Sequence, residues 1–155
     1  MAIVVNPAHA WFNEARYGLF IHWGPYAVLG RGEQVLNREW LDQNEYADMA
    51  CAWNPQHYNP EEWMEVAVRG GMKYAILTTR HHDGYCLWDT KTTDYSSMCQ
   101  APKRDFIMPY VKACRKSSLK VGLYYSFMDF RLPAWTRGPA KDPEGFAEAK
   151  LCATN

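Results

Sequence analysis

Three short apolar runs, separated by stretches of helical pattern, limit what this chain can become. They are Tyr17-Gly18-Leu19-Phe20-Ile21-His22, Lys73-Tyr74-Ala75-Ile76-Leu77-Thr78-Thr79 and Lys120-Val121-Gly122-Leu123-Tyr124-Tyr125-Ser126. Each is mostly apolar and does not alternate with polar residues, as in parallel strands covered on both faces. Helical signals lie between them. Asn59-Pro60-Glu61-Glu62 combines an N-cap residue, a proline for the first helical position and acids for the first turn. Trp63, Val66 and Ala67 then recur at helical spacing, and Gly70-Gly71 ends the element.

A second helix is expected over about Asp105 to Ser118, with Ile107, Tyr110, Val111 and Cys114 on one face. Pro109 is tolerable there only in the first turn, which argues for a later start. A third helix is expected from Asp142-Pro143-Glu144 toward the C-terminus. Strand alternating with helix is the pattern of a parallel sheet with right-handed crossovers. The fold class is therefore α/β: a partial (β/α)8 TIM barrel of about three parallel strands with crossover helices. Residues 1–155 read as a single truncated barrel domain, because three strands cannot close a barrel that needs eight.

Composition narrows the partners. Hydrophobic residues make up 48% and charged residues 22%, with 17 Lys+Arg against 17 Asp+Glu. That balance suits a soluble globular protein and gives no electrostatic reason to expect nucleic acid or an anionic membrane. No run approaches the ~20 apolar residues of a membrane span. The opening MAIVVNPAHA lacks a signal-peptide pattern, so a cytoplasmic location is expected. The five cysteines include no CxxC pair, which points to free thiols and away from a cysteine-based metal site. Aromatic residues reach 15%, a content that serves core packing and also suits sugar binding, since the C–H face of a sugar stacks on rings. Trp53, Trp63 and Trp88 are expected to pack in the core.

Each apolar run ends in residues that can do chemistry: His22-Trp23, His81-His82-Asp83 and Tyr125-Ser126. In (β/α) barrels the C-terminal strand ends carry the active site. Three longer motifs contain these ends: Trp11 through Gly24, Lys73-Tyr74 through His81-His82-Asp83-Gly84-Tyr85, and Gly122-Leu123-Tyr124-Tyr125-Ser126. In order and spacing they resemble the α-L-fucosidases of glycoside hydrolase family 29, over roughly residues 11 to 130. The resemblance covers the N-terminal part of that family's catalytic domain.

The resemblance implies that His22, His81 and His82 hydrogen-bond fucose hydroxyls. Imidazole suits the task because it donates from one nitrogen and accepts at the other. Adjacent strand residues point to opposite faces, so His81 and His82 can share a pocket only beyond the strand's end. The family's loop glutamate corresponds to Glu33 by distance from His22, while Glu39-Trp40 is a second register. Tyr124 matches a family tyrosine near the nucleophile side, or is simply a half-buried strand residue. Asp83 is expected to brace its Asp-Gly turn.

The family is retaining and needs two carboxyl groups, about 5–5.5 Å apart in a typical retaining enzyme. By the resemblance, the nucleophile lies at the end of a fourth strand and the acid/base later, both beyond this chain. Asp129, just past the third strand, is the candidate substitute nucleophile. No metal or organic cofactor is implied. The uncovered barrel-facing side and the open edge of the third strand favour a homo-oligomer. Three readings follow: a hydrolase of terminal α-L-fucosides acting on a fucosylated glycan or small fucoside, a non-catalytic fucose-binding fragment, and an inactive truncated gene product.

Overall fold

The computed structural model describes residues 6–132 together with Pro143, Glu144 and Ala147. Three strands, β1 (Leu19–Ile21), β2 (Tyr74–Arg80) and β3 (Lys120–Tyr125), form one parallel sheet in the order β1-β2-β3. Leu19 pairs with Ala75, and Ala75 with Val121, so the three runs stand side by side in sequence order. Within residues 6–132 five α-helices accompany them: α1 (Ala10–Ala15), α2 (Val35–Arg38), α3 (Gln43–Ala52), α4 (Pro60–Arg69) and α5 (Ile107–Lys116). Of the third expected helix, Pro143, Glu144 and Ala147 are helical, and the rest lies outside the described residues.

The crossover helices start and stop for local reasons. Pro60 opens α4 and Gly71, at φ 79°, closes it. There Gly71 N–H bonds the Val68 carbonyl and Met72 N–H the Ala67 carbonyl, the paired bonds of a Schellman ending. Asp105 starts α5 by accepting from the amides of Ile107 (2.7 Å) and Met108 (3.2 Å). This start places Pro109 in the first turn, where its missing N–H leaves no bond unmade. The same Schellman pair ends α5, with Ser118 in the left-handed region at φ 57°.

Both helices pack on one face of the sheet. Met64 and Ala67 from α4 and Tyr110, Ala113 and Cys114 from α5 enclose Ala75 and Leu77 of β2, all essentially inaccessible. The Tyr110 hydroxyl donates to the carbonyls of Ala75 (2.6 Å) and Gly122 (3.2 Å), fastening α5 to two strands at once. Among residues 6–132 no helix covers the opposite face, and Phe20 is 47% exposed there.

A second core sits beyond the strands' C-terminal ends. It gathers Tyr26, Val35, Leu36, Tyr46, Trp53 and Phe106 with other buried residues. Trp23 packs against both cores and touches the rings of Trp53, Tyr58, Trp63 and Phe106. Trp53 and Trp63 thus pack, as expected.

Two elements depart from the sequence expectation. The stretch Trp11–Ala15, part of the first strand's motif, is helical and ends at Arg16 in the left-handed region, and β1 shrinks to three residues. Helix α3 shows little apolar periodicity. It forms because Asp42 caps it, accepting from the amides of Asn44 (2.9 Å) and Glu45 (3.1 Å), and because Tyr46 and Ala50 bury one narrow stripe.

Candidate functional site

The loops leaving the sheet bring the three histidines together. His22 follows β1 directly, and its ring stacks on Phe20 at 4.8 Å between centroids. His81 and His82 follow β2, past its end, where neighbouring residues can face one pocket. Their ring centroids lie 4.2 Å apart, and His81 lies 5.2 Å from His22. Tyr124, near the end of β3, flanks them at 5.9 Å from His81 and 6.2 Å from His22.

The structure distinguishes the two glutamate registers. Glu33, after the turn at Pro25–Val28, reaches the histidines: ligand atoms of His22, Glu33 and His81 all lie within 4.8 Å of one another. Glu39 instead pairs with Arg31 at 2.8 Å on the surface, beside Trp40, which is 85% exposed. Such an exposed pair contributes about 0–1 kcal/mol.

Electrostatics keep this cluster neutral on its buried side. Burial, with His82 and His22 close by, pushes the His81 imidazole down to about 4, against the opposing pull of Glu33. Burial also lowers His82. A hydrogen bond from its own amide holds the Glu33 carboxylate below its ordinary value, helped by the His22 and His81 rings. The pocket therefore presents the Glu33 carboxylate as an anionic acceptor beside the His81 and His82 rings, both of which burial biases toward the uncharged form.

The tautomer of His82 follows from its neighbour. The Ser126 hydroxyl donates to the Met128 carbonyl at 3.0 Å, and a hydroxyl has one proton to give. With that proton on the Met128 carbonyl, the hydroxyl accepts from His82 Nδ1, an assignment in which neutral His82 carries its hydrogen on Nδ1 and offers Nε2 as an acceptor.

Beneath the pocket lies a buried polar brace. Asp83, fully enclosed, accepts the Tyr46 hydroxyl at 2.8 Å and the Tyr85 amide at 3.3 Å, which is the turn bracing expected of it. Burial pushes its carboxyl up to about 6, with both hydrogen bonds acting the other way. Gly84 (φ 78°) has to be glycine: a Cβ there would stand 2.6 Å from Asp129 Oδ2 and 2.5 Å from Arg131 Nε.

Asp129, the candidate nucleophile, belongs to this brace. Its Oδ2 accepts from Arg80 Nη2 and Arg131 Nη2, each at 2.6 Å, and its Oδ1 from the Arg131 amide and Nε, each at 3.0 Å. A carboxylate with both oxygens so engaged and 4% exposed is a structural anchor and has no free lone pair for attack at a sugar carbon.

Sequence reasoning missed several supports. Tyr26 sets its ring edge-on to His81 at 5.6 Å while its hydroxyl bonds Thr78 at 3.0 Å. Ser126 fixes His82, and Arg80 both binds Asp129 and donates to the Ser126 carbonyl at 2.6 Å. Sequence alone names Ser126, with Tyr125, as a strand end but without this role; Arg80 sits at a strand end too, the position that could have flagged it, and Tyr26 carried no such signal.

Comparison with known proteins agrees with this arrangement. A family model described as Alpha-L-fucosidase matches residues 2–151. An alpha-L-fucosidase of Branchiostoma floridae is 33% identical over 151 residues, covering 85% of this chain and 34% of that protein. Among solved structures, alpha-L-fucosidase isoenzyme 1 from Paenibacillus thiaminolyticus superposes with TM-score 0.77 at 44% identity, over 82% of this chain and 30% of that one. A GH29 alpha-L-fucosidase from Bacteroides thetaiotaomicron, trapped as a covalent intermediate with 2-fluoro-fucosyl fluoride, superposes with TM-score 0.84 at 31% identity, over 97% of this chain and 37% of that one. This chain spans about a third of the length of the curated relatives it matches. Its three-stranded parallel sheet corresponds to the N-terminal part of their barrel. The motifs, the fold and the matched residues together establish that the chain belongs to the α-L-fucosidase family, glycoside hydrolase family 29.

Proposed function

We propose that this chain forms the fucose-recognising wall of an α-L-fucosidase-like hydrolase that cleaves terminal α-L-fucosides with retention. The observation that carries the reading is the convergence of His22, Glu33 and His81 from separate loops to within 4.8 Å, at the C-terminal end of a parallel sheet. In this reading His82 accepts a sugar hydroxyl at Nε2, Glu33 accepts a second, and His22 with Tyr124 borders the ring. The relative trapped with 2-fluoro-fucosyl fluoride supports fucose as the sugar.

A second reading, recognition without cleavage, is favoured by the state of the carboxylates. Among the described residues Glu33 stands in the histidine cluster, while Asp83 and Asp129 are buried in hydrogen bonds with Tyr46 and the arginines. Retaining hydrolysis needs two carboxyl groups about 5–5.5 Å apart. Calorimetric titration with fucose, and nitrophenol release from 4-nitrophenyl α-L-fucoside, separate the readings. Binding with turnover supports the hydrolase, and binding alone supports recognition. No heat with fucose, together with no turnover, overturns both and leaves the inactive gene product. We also propose that copies of the 155-residue chain associate through uncovered apolar surface, since Phe20, Leu123 and Phe127 are 47%, 55% and 64% exposed.

A further inference from the structure

Balanced charge totals give no electrostatic reason to expect an anionic surface as partner, yet the fold separates the charges. The end of the sheet opposite the pocket is basic. The Lys73 amide donates to the Tyr17 carbonyl at 3.0 Å and the Lys120 amide to the Lys73 carbonyl at 3.1 Å, so the three strand starts stand side by side. Arg16 lies just before the first of them, and Lys73 and Lys120 stand at the other two. The crossover helices return to this end and bring cations in their last turns, Arg69 on α4 and Arg115 with Lys116 on α5. The partial negative charge of a helix C-terminus favours cations there. All six residues are exposed, and among the described residues none is ion-paired. Opposing acids are few at this end. Helix α5 contains none, α1 has Glu14, and α4 has Glu65 one turn before Arg69. The acids of the helix starts, Glu61, Glu62 and Asp105, lie at the pocket end.

Aromatic side chains stand among these charges. Trp11, Phe12 and Tyr17 are between 40% and 54% exposed. Trp11 sets its ring edge-on to Phe12 at 5.6 Å and to Tyr74 at 6.2 Å, and Lys120 Nζ lies 5.9 Å from the centre of the Trp11 ring. Single-stranded nucleic acid needs open ring faces on which bases stack. Here Phe12, Tyr74 and Lys120 already engage the Trp11 ring. Anchoring in a lipid headgroup layer needs only partly exposed rings beside cations. Tryptophan and tyrosine favour that depth, and each nearby Lys or Arg adds attraction to acidic lipids.

We propose that the N-terminal end of the sheet is a docking face for an anionic lipid surface. The six cations attract the headgroups, and Trp11, Phe12 and Tyr17 seat among them. Docked this way, the chain leaves the histidine pocket, at the other end of the sheet, facing solvent. The test is flotation of the purified chain with phosphatidylcholine vesicles, with and without phosphatidylserine, in the absence of sugar. Binding to the acidic vesicles alone, abolished in about 1 M salt where the screening length falls to about 3 Å, is the expected result. Arg115→Gln combined with Lys116→Gln is expected to weaken it about twenty-fivefold, at about fivefold per charge. Lys73→Gln combined with Lys120→Gln is expected to do the same. Circular dichroism verifies folding, and either pair decides the matter if the other does not fold. Arg38→Gln, on α2 at the pocket end, is expected to bind as the unmodified chain does. Equal binding to neutral vesicles, no binding to acidic ones, retention in molar salt, or unchanged binding in the folded double variants overturns the proposal. Tighter binding to polyuridylate or heparin than to acidic vesicles also overturns it and assigns the face to a polyanion. No sugar takes part, so failure here leaves the fucose reading to its own titration.

Discussion

Arg80 and Asp129 are joined at 2.6 Å with both side chains nearly inaccessible, and this pair ties the end of β2 to the segment after β3. Removing one member leaves the other charge buried without compensation, at a cost of about 3–5 kcal/mol. Asp129→Asn is therefore expected to lower stability by about 3 kcal/mol in urea unfolding. It retains fucose heat wherever the variant stays folded. A variant as stable as the parent yet devoid of turnover would restore Asp129 as a nucleophile.

Ser126 acts on sugar binding through His82. Without its hydroxyl, His82 is free to move its proton to Nε2 and present a donor where an acceptor is needed. Ser126→Ala is expected to weaken fucose binding about tenfold, near 1.4 kcal/mol, with the melting temperature changed by only a few degrees. An NMR measurement of the His82 nitrogen shifts reads the tautomer directly. Unchanged shifts in the variant would refute the positioning role.

Two buried groups set opposing pH dependences. The Asp83 carboxyl, ordinarily near 3.8, stands at about 6 in the folded chain, so the native state holds its proton longer and stability falls as pH rises through that window. The His81 imidazole moves from 6.5 to about 4, so the native state sheds its proton earlier and stability rises between those values. The two contributions oppose each other between about pH 4 and 6. Asp83→Asn removes the first and leaves the second. Its melting temperature, measured with chelator present, is expected to climb from pH 4 to 6.5 more steeply than the parent's. A profile that falls over this range would show the His81 contribution to be absent.

Leu123, more than half exposed on β3, is the position from which to test association. The chain is expected to sediment above its 18.0 kDa monomer mass, and Leu123→Glu to shift it toward monomer. Monomeric behaviour of the unmodified chain at micromolar concentration would end the proposal.

Ser118 ends α5 at φ 57°, a conformation that costs an L-residue free energy and glycine almost none. Ser118→Gly is expected to raise stability by about 0.5 kcal/mol, partly offset by glycine's greater freedom when unfolded. Thermal melting at fixed pH measures the change.

The sequence by itself determined the parallel α/β layout and the place of the chemistry. Apolar runs without alternation require cover on both faces, and Pro60, Gly71 and Asp105 mark helix limits through local backbone geometry. The position of His81-His82 past a strand end also followed from the two-residue period of a strand. Helix α3 escaped because its stripe is two residues wide, and a cap alone does not announce a helix. Distance from His22 already favoured Glu33 over Glu39, and the tertiary structure added the placement, Glu33 beside the histidines and Glu39 paired with Arg31, which depends on the path of the loop after Pro25–Val28. It also placed Asp129 between two arginines, 49 residues from one of them in sequence, and so turned a proposed nucleophile into a brace. Local backbone preferences act over a few residues and can be read along the chain. The pairing of buried charges is decided by burial, which exists only once the chain has folded.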